Sequence, residues 1–413
     1  AEFHLTPAEM GVVLSSFLWS YALLQIPIGT LLDRIGITWL MRIGTVLWTI
    51  ATFLTAIASG LGFLLFARVI LGIAEAPAFP AASKATGYWF PLSERGRATS
   101  AFDAAAKFSN VIGLPLVAFA VTQWGWRGGF VFTGILSALY AVAFWIWYRD
   151  PNRHPKVSKE EYNYVRAGGA QDENVIPVQS GKALSFLLRQ RKVWGLTLGF
   201  AAYGYSFYLL LTWLPGYLQT QMHLSVLSSG WYTAIPWAVA TATDLIIGGW
   251  LVDKLIAQGH EPTRVRKTIL VIGMVLGLAV IGAAFTNSVV VATFWISIAL
   301  GGLAFAAPVG WSIPAIIAPD GTTGMVGSVM NFFNNLAGIA APIVTGIIVG
   351  RTGSFALGFI IAGIVLALGI LSYVFLLGDI TQIARRVPGE VEVPPDHHDE
   401  PRHPVQDREP SPA

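Results

Sequence analysis

Gly29-Thr-Leu-Leu-Asp33-Arg34 recurs as Gly249-Trp-Leu-Val-Asp253-Lys254, and this repeat decides the fold. Each copy closes an apolar stretch of helical length, and each ends on an acid followed by a base. One apolar span separates the polar middle of the chain from the second copy's span, whereas no span precedes the first copy's. Two halves built alike then require six helices each, with the first helix lying ahead of residue 1.

Counting outward from the repeat gives apolar runs near 8–32, 39–58, 62–83, 97–122, 127–148, 193–219, 227–251, 268–286, 289–317, 324–349 and 355–377. Each is about the 20 residues that a helix needs to cross a ~30 Å hydrocarbon core. The expected fold class is an all-α polytopic membrane protein with eleven visible spans. It divides into an N-terminal bundle over 1–148, a polar linker over 149–192, a C-terminal bundle over 193–378 and a disordered tail over 379–413. The runs are too long for β-barrel strands.

Composition agrees: 54% of the 413 residues are hydrophobic and only 12% are charged, a balance that belongs in lipid. Lys and Arg set the orientation. In the segments read as loops, Arg34, Arg42, Lys84, Arg95, Arg97, nine basic residues from Arg149 to Lys192, Lys254, Arg264, Arg266, Lys267, Arg385 and Arg386 all fall on one side, and only Arg127 and Arg351 on the other. The basic side is therefore read as cytoplasmic, with the C-terminus inside. The net charge of +3 follows from these loops and implies no nucleic-acid partner. Zero cysteines and seven scattered His offer no thiolate, disulfide or ligand spacing, so no metal or organic cofactor is expected. No hydrolase or phosphate-binding constellation appears, and an enzyme is not expected.

Gly29-x-Leu31-x-Asp33-Arg34-x-Gly36 resembles the loop signature after the second helix of major facilitator transporters, and the degenerate second copy sits where that superfamily has one. Arg68-Val-Ile-Leu-Gly72-Ile-Ala-Glu75-Ala-Pro77-Ala-Phe-Pro80, followed by Tyr88-Trp-Phe-Pro91 and Glu94-Arg95-Gly96, is similar to the anion:cation symporter branch, which includes bacterial galactonate, glucarate, hexuronate and tartrate carriers and the sialic-acid carrier. The resemblance implies a monomeric, multi-pass carrier of the bacterial inner membrane that imports a small organic anion, such as a sugar acid, with a proton. An exchanger or exporter of the same fold, or a non-transporting sensor, are the alternatives. Relatives usually carry an Asp-Arg pair on the first helix, ahead of residue 1, and uncharged residues where this chain has Asp103 and Lys107.

Five charges fall deep within spans: Arg68, Glu75, Asp103, Lys107 and Asp244. Each costs at least ~2.5–3.5 kcal/mol at the midplane, so each needs a partner, an aqueous cavity or a task. Arg68 and Glu75 are seven residues apart, two turns along one helix face. By resemblance Arg68 organises the anion site and Glu75 carries the proton; the plain alternative is a fixed interhelical ion-pair network. Asp103 and Lys107 are four apart and can touch, either as a self-neutralising pair or with Lys107 on the substrate and Asp103 in proton coupling. Asp244 reads as a structural polar contact. The positions of Tyr21, Tyr205, Trp311, Ser312, Asn331, Asn334 and Asn335 resemble the branch's sugar-contacting sites, and three amides within five residues are costly in lipid unless they face a cavity. Gly29, Asp33, Arg34, Gly36, Asp253 and Lys254 are expected to form the cytoplasmic gate.

Overall fold

The computed structural model describes residues 3, 5–91, 95–170, 181–319 and 323–383, with the side chains of Ile26, Gly29, Thr30, Asp33, 95–97, 99, 100, 181–183, Ala315 and Thr323 excluded. The expected tail beyond residue 383, and Gly29 and the Asp33 side chain of the expected gate, lie outside the described residues.

Fourteen α-helices are present among those residues: α1 Pro7–Ile35, α2 Ile37–Ala56, α3 Leu61–Glu75, α4 Ala78–Trp89, α5 Arg95–Trp147, α6 Lys159–Ala167, α7 Gly181–Leu187, α8 Arg191–Thr220, α9 Val226–Thr243, α10 Val252–Ala257, α11 Pro262–Gly277, α12 Val289–Ile317, α13 Thr323–Thr352 and α14 Ala356–Leu371. A π-helical segment, Asp244–Leu251, joins α9 to α10, and a second one, Ser372–Leu376, extends α14. Among the described residues, nine helical stretches are long and apolar enough to cross a membrane. One of these, Ala101–Trp147, bends at Gly125. Its φ of 69° is left-handed and suits a residue without Cβ. Together with the 30-residue α8, this accounts for all eleven expected spans. The two runs expected over 97–122 and 127–148 are two helical segments of α5 that meet at Gly125, whose φ of 69° and ψ of 178° are not helical.

Local chemistry starts and stops the helices where the sequence asks. Thr6 caps α1 in a reciprocal box with Glu9, ahead of Pro7 in the first turn. Ser225 accepts from the Ser228 N–H to cap α9, and Gly36, at φ 83°, turns the chain from α1 directly into α2. Ile43, Val46, Leu47 and Ile50 on α2, and Ile364, Leu368, Leu371 and Phe375 at the other end of the chain, are large apolar side chains left exposed. Faces of this kind are stable against lipid and not against water, so the chain is a multi-pass membrane protein. Arg42, read from the sequence as a loop residue, lies inside α2 instead. It is buried against the Trp39 and Trp145 rings and donates to the Trp145 carbonyl. Aromatic faces and a carbonyl replace the water that a loop would have supplied.

Two seams join the N-terminal helices to the C-terminal ones: α1 against α13, and α5 against α9. The repeat makes α1 the counterpart of the α9–α10 helix, and counting from the chain ends of each half makes the first part of α5 the counterpart of α13. The seams therefore interchange when the halves are exchanged, as a twofold relation demands. Away from the basic loops the seams are closed by backbone. A Cβ on Gly11 would meet the Pro342 carbonyl, one on Gly346 the Pro7 carbonyl, and one on Gly230 the Ala118 side chain and the Leu114 carbonyl. Such small-residue contacts let helix backbones approach closely. Toward the basic end, Gly324 and Gly327 of α13 have nothing within 4 Å of a built Cβ. The seams are thus closed by backbone contacts at one end, and the end that carries Arg34, Asp253 and Lys254, all exposed, has no such contact at Gly324 or Gly327.

Candidate functional site

Helix α3 carries the first two charges, and Pro77 fixes where it ends. Glu75 is its last residue, Ala76 and Pro77 turn, and α4 begins at Ala78, as expected of a residue that cannot donate to the helix ladder. Between Arg68 and Glu75, Gly72 leaves room for α1: a Cβ there would meet the Phe17 carbonyl and Ser20 Oγ. Ser20 locks the contact by donating to the Val69 carbonyl at 2.7 Å. This approach lays Phe17 and Tyr21, stacked with centroids 5.3 Å apart, beside the two charges. The Arg68 guanidinium lies over the Phe17 ring at 5.9 Å and reaches the Leu14 carbonyl at 3.4 Å. Its Nε is buried and has no hydrogen-bond partner among the described residues. No hydrogen bond or ion pair links Arg68 to Glu75, although the two feel each other's charge.

Facing them across the seam are the amides. Asn331 Nδ2 donates to Gln25 Oε1 at 3.3 Å, from α13 to α1. Tyr208 of α8 donates its hydroxyl to Asn335 Oδ1 at 3.3 Å, and Gly204, one turn earlier, makes space for the Asn334 side chain. Gln25 Nε2, Asn334 Oδ1 and Asn335 Nδ2 are buried and unpaired among the described residues. Each unpaired buried polar atom costs about 1–3 kcal/mol. The three atoms lie on α1 and α13, and their unmet hydrogen-bonding capacity is what a polar ligand or water could satisfy.

The third group spans the bundles. Lys107 Nζ lies 2.7 Å from Asp103 Oδ2 on its own helix and 2.6 Å from Asp244 Oδ2 on the opposite bundle. Lys107 and Asp244 are 5% and 4% exposed, and Asp103 is the open member. Asp244 opens the π-helical segment, and Gly248 within it lets Pro308 and Phe305 of α12 approach. Tyr203 lies in electrostatic range of Asp103, Asp244 and Tyr208. Tyr21 is in range of Tyr208 and Glu75. The two charge groups thus edge one polar region between the bundles.

Of the residues singled out in the sequence, the structure brings together Tyr21, Arg68, Glu75, Asn331, Asn334 and Asn335, with Asp103 and Lys107 at the margin. It places Tyr205 elsewhere, in an apolar cleft of about 530 Å³ shared with Leu198, Ala337, Val365 and Leu368. Ser312 Oγ returns its proton to the Val309 carbonyl of its own helix. Trp311 is 44% exposed and meets the Phe200 ring edge-on. At the expected gate, Lys254 lies over the Trp250 ring at 4.5 Å, and Asp253 is in range of Arg266. Sequence reasoning missed Gln25, Tyr203, Tyr208 and the Lys107–Asp244 contact. Gln25 was detectable as the lone amide one turn beyond Tyr21; the long-range contact carried no local signal.

Residues 1–342 match the Major Facilitator Superfamily. The chain is 47% identical over 382 residues to an uncharacterized transporter, YybO, of Bacillus subtilis strain 168, covering 92% of this chain and 88% of the relative. It is 35% identical to the probable galactarate/D-glucarate transporter GudP of Escherichia coli K12, with 92% and 87% covered. Identity to the D-galactonate transporter of Escherichia coli O6:H1 is 32%, with 92% and 90% covered. Among solved structures, a bacterial homolog to the human lysosomal transporter Spinster, inward-facing and occupied, superposes with a TM-score of 0.67 at 19% identity over 91% of this chain and 90% of that one. With the two-bundle fold, its interchangeable seams and a family match over most of its length, this chain belongs to the major facilitator superfamily of transporters.

Proposed function

We propose that the protein is a proton-coupled importer of a small organic anion of the sugar-acid class, working by alternating access in a bacterial inner membrane with its basic end in the cytoplasm. The observation that carries this reading is the Arg68–Glu75 arrangement: a half-buried arginine whose Nε is buried and has no partner among the described residues, and a carboxylate two turns away that is not bonded to it. While Glu75 is ionised it offsets the charge of Arg68. A proton on Glu75 releases that charge for an incoming carboxylate, so proton and anion favour each other's binding. Gln25, Asn334 and Asn335 then supply donors and acceptors for hydroxyl groups, and Asp103 is a second proton acceptor at the edge of the same region. Relatives named as galactarate/glucarate and galactonate transporters support the class.

The two bundles, the linker over 149–192 and the exposed charges Arg34, Asp253 and Lys254 supply the moving parts, and no cofactor other than the proton takes part. The test is uptake of a labelled sugar acid into proteoliposomes under an imposed inward proton gradient. Accumulation above equilibrium supports import. Uptake indifferent to the gradient, or net loss of preloaded anion, overturns it in favour of exchange or export.

A further inference from the structure

The C-terminal bundle carries a cleft away from the polar region between the halves. Gly195 and Gly199 let α8 press against the end of α14: a Cβ on Gly195 would meet the Leu377 backbone nitrogen, and one on Gly199 the Tyr373 ring. Beside this contact Ala201 and Ala202 leave the apolar cleft of about 530 Å³, walled by Leu198 and Tyr205 of α8 and by Leu368 and Phe375 of α14 and its extension. Leu198, Ala201, Ala202 and Tyr205 follow one another at three-, four- and seven-residue offsets, which place them on one helix face. Leu198, Leu368 and Phe375 are exposed, so the cleft opens toward the hydrocarbon. Tyr205, expected from the sequence at the substrate site, belongs to this cleft instead.

A second cavity, of about 370 Å³, continues the first at Leu376, which lines both. Its wall is basic, because Arg191 and Lys192 at the start of α8 line it. Arg191 donates to the Phe375 carbonyl, and Lys192 donates to the Thr381 carbonyl and hydroxyl at 3.0 and 2.8 Å. Lys267 reaches the same turn, at the Val374 and Gly378 carbonyls. Among the described residues none of the three cations meets a carboxylate within 4 Å, Asp379 included. Carbonyl oxygens carry only partial charge, so the turn keeps a net positive charge at the cytoplasmic end of the bundle.

We propose that the two cavities form one binding site for an anionic phospholipid of the cytoplasmic leaflet, with its phosphate at Arg191 and Lys192 and one acyl chain along the Leu198–Tyr205 face. The dimensions fit. At 1.5 Å per residue, Leu198 lies about 10 Å and Tyr205 about 21 Å beyond Arg191 along α8. A headgroup layer of roughly 5–7 Å and half of a ~30 Å core put the bilayer midplane about 20–22 Å from the headgroup level. The cleft therefore ends where a chain from that leaflet ends. A zwitterionic lipid fills the cleft equally well, but its own ammonium offsets its phosphate, so the cations select the head with net negative charge.

The experiment titrates the detergent-solubilised full-length protein with phosphatidylglycerol and with phosphatidylcholine of the same acyl chains, and reads the first bound lipid by native mass spectrometry. Phosphatidylglycerol is expected to bind roughly 10-fold more tightly, the scale set by one or two basic side chains at a membrane surface. Arg191→Gln combined with Lys192→Gln should bring the two lipids to equal affinity. Arg153→Gln, at an exposed base elsewhere in the linker, should preserve the preference. Ala201→Phe fills the cleft and should weaken the binding of both lipids. Equal affinities in the wild type overturn the proposal. So does a preference that survives in the folded double variant, or one that Arg153→Gln abolishes as completely. Displacement of bound phosphatidylglycerol by millimolar inorganic phosphate would assign the basic pocket to a soluble anion and overturn the lipid as its occupant. If the double variant does not fold, Ala201→Phe decides: unchanged phosphatidylglycerol binding there overturns the site.

Discussion

Lys107 and Asp244 stand 137 residues apart on opposite bundles, and their charged atoms meet at 2.6 Å. The contact sits on the α5–α9 seam, so it holds the halves together at a depth where neither charge can find water. Charges of this kind are expensive to isolate and inexpensive to remove together.

Lys107→Gln leaves the buried Asp244 carboxylate and the partly exposed Asp103 carboxylate without their shared base, and Asp244→Asn weakens the bridge from the other side. Removing one partner of a buried pair costs about 3–5 kcal/mol, so the Lys107 variant is expected to unfold at a clearly lower temperature in detergent. Neutralising Asp103, Lys107 and Asp244 together is expected to recover most of that loss. A Lys107→Gln protein as heat-stable as wild type would show that the bridge bears no load.

Glu75→Gln keeps the size of the side chain and imitates the protonated acid. The variant is expected to bind substrate and to exchange labelled for unlabelled anion across the membrane. It should no longer accumulate anion under an inward proton gradient. Counterflow and gradient-driven uptake, measured on the same proteoliposomes, separate the two activities, and normal uphill transport would remove Glu75 from the coupling role.

What the sequence makes legible follows from the range of the forces involved. The spans, the kink after Glu75 and the Asp103–Lys107 pair depend on hydropathy, on Pro77 and on one helical turn, all local quantities. The repeat of Asp33-Arg34 in Asp253-Lys254 extends this to topology, because two similar segments must occupy similar places. Arg42 misleads because its partners, Trp145 and its carbonyl, lie about a hundred residues away. The Asn331–Gln25 and Lys107–Asp244 contacts are also distant in sequence. Tyr205 and Tyr208 are three residues apart on α8, and only packing reveals that Tyr208 faces Asn335 while Tyr205 faces the apolar cleft.

The closed end of the seam depends on glycine. At Gly346 any side chain would strike the Pro7 carbonyl, so Gly346→Val is expected to wedge α1 from α13 and open that end. The 413 residues contain no cysteine, which makes labelling direct. A single Leu18→Cys, on a side chain 3% exposed and packed against Gly338, should resist a membrane-impermeant maleimide applied from the closed end. It should react once Gly346→Val is added. Equal labelling with and without Gly346→Val would show that the seam is not closed by this contact.

Arg68 is the residue on which the anion reading stands. Arg68→Gln removes the charge and the unpaired Nε donor together, and should weaken binding of the acid by roughly the ~1.5–3 kcal/mol of a hydrogen bond to a charged group. Arg68→Lys keeps the charge but presents a compact ammonium in place of a planar fork, so it is expected to recover only part of that loss. A neutral polyol with the same hydroxyls should bind all three proteins alike, because its contacts run to the amides. If the carboxylate instead met Lys107, the acid's affinity would survive Arg68→Gln and fall in Lys107→Gln. Equilibrium binding of the acid and the polyol to the wild type and the Arg68 variants distinguishes these patterns. Full acid affinity in a folded Arg68→Gln protein would assign the anion to another partner.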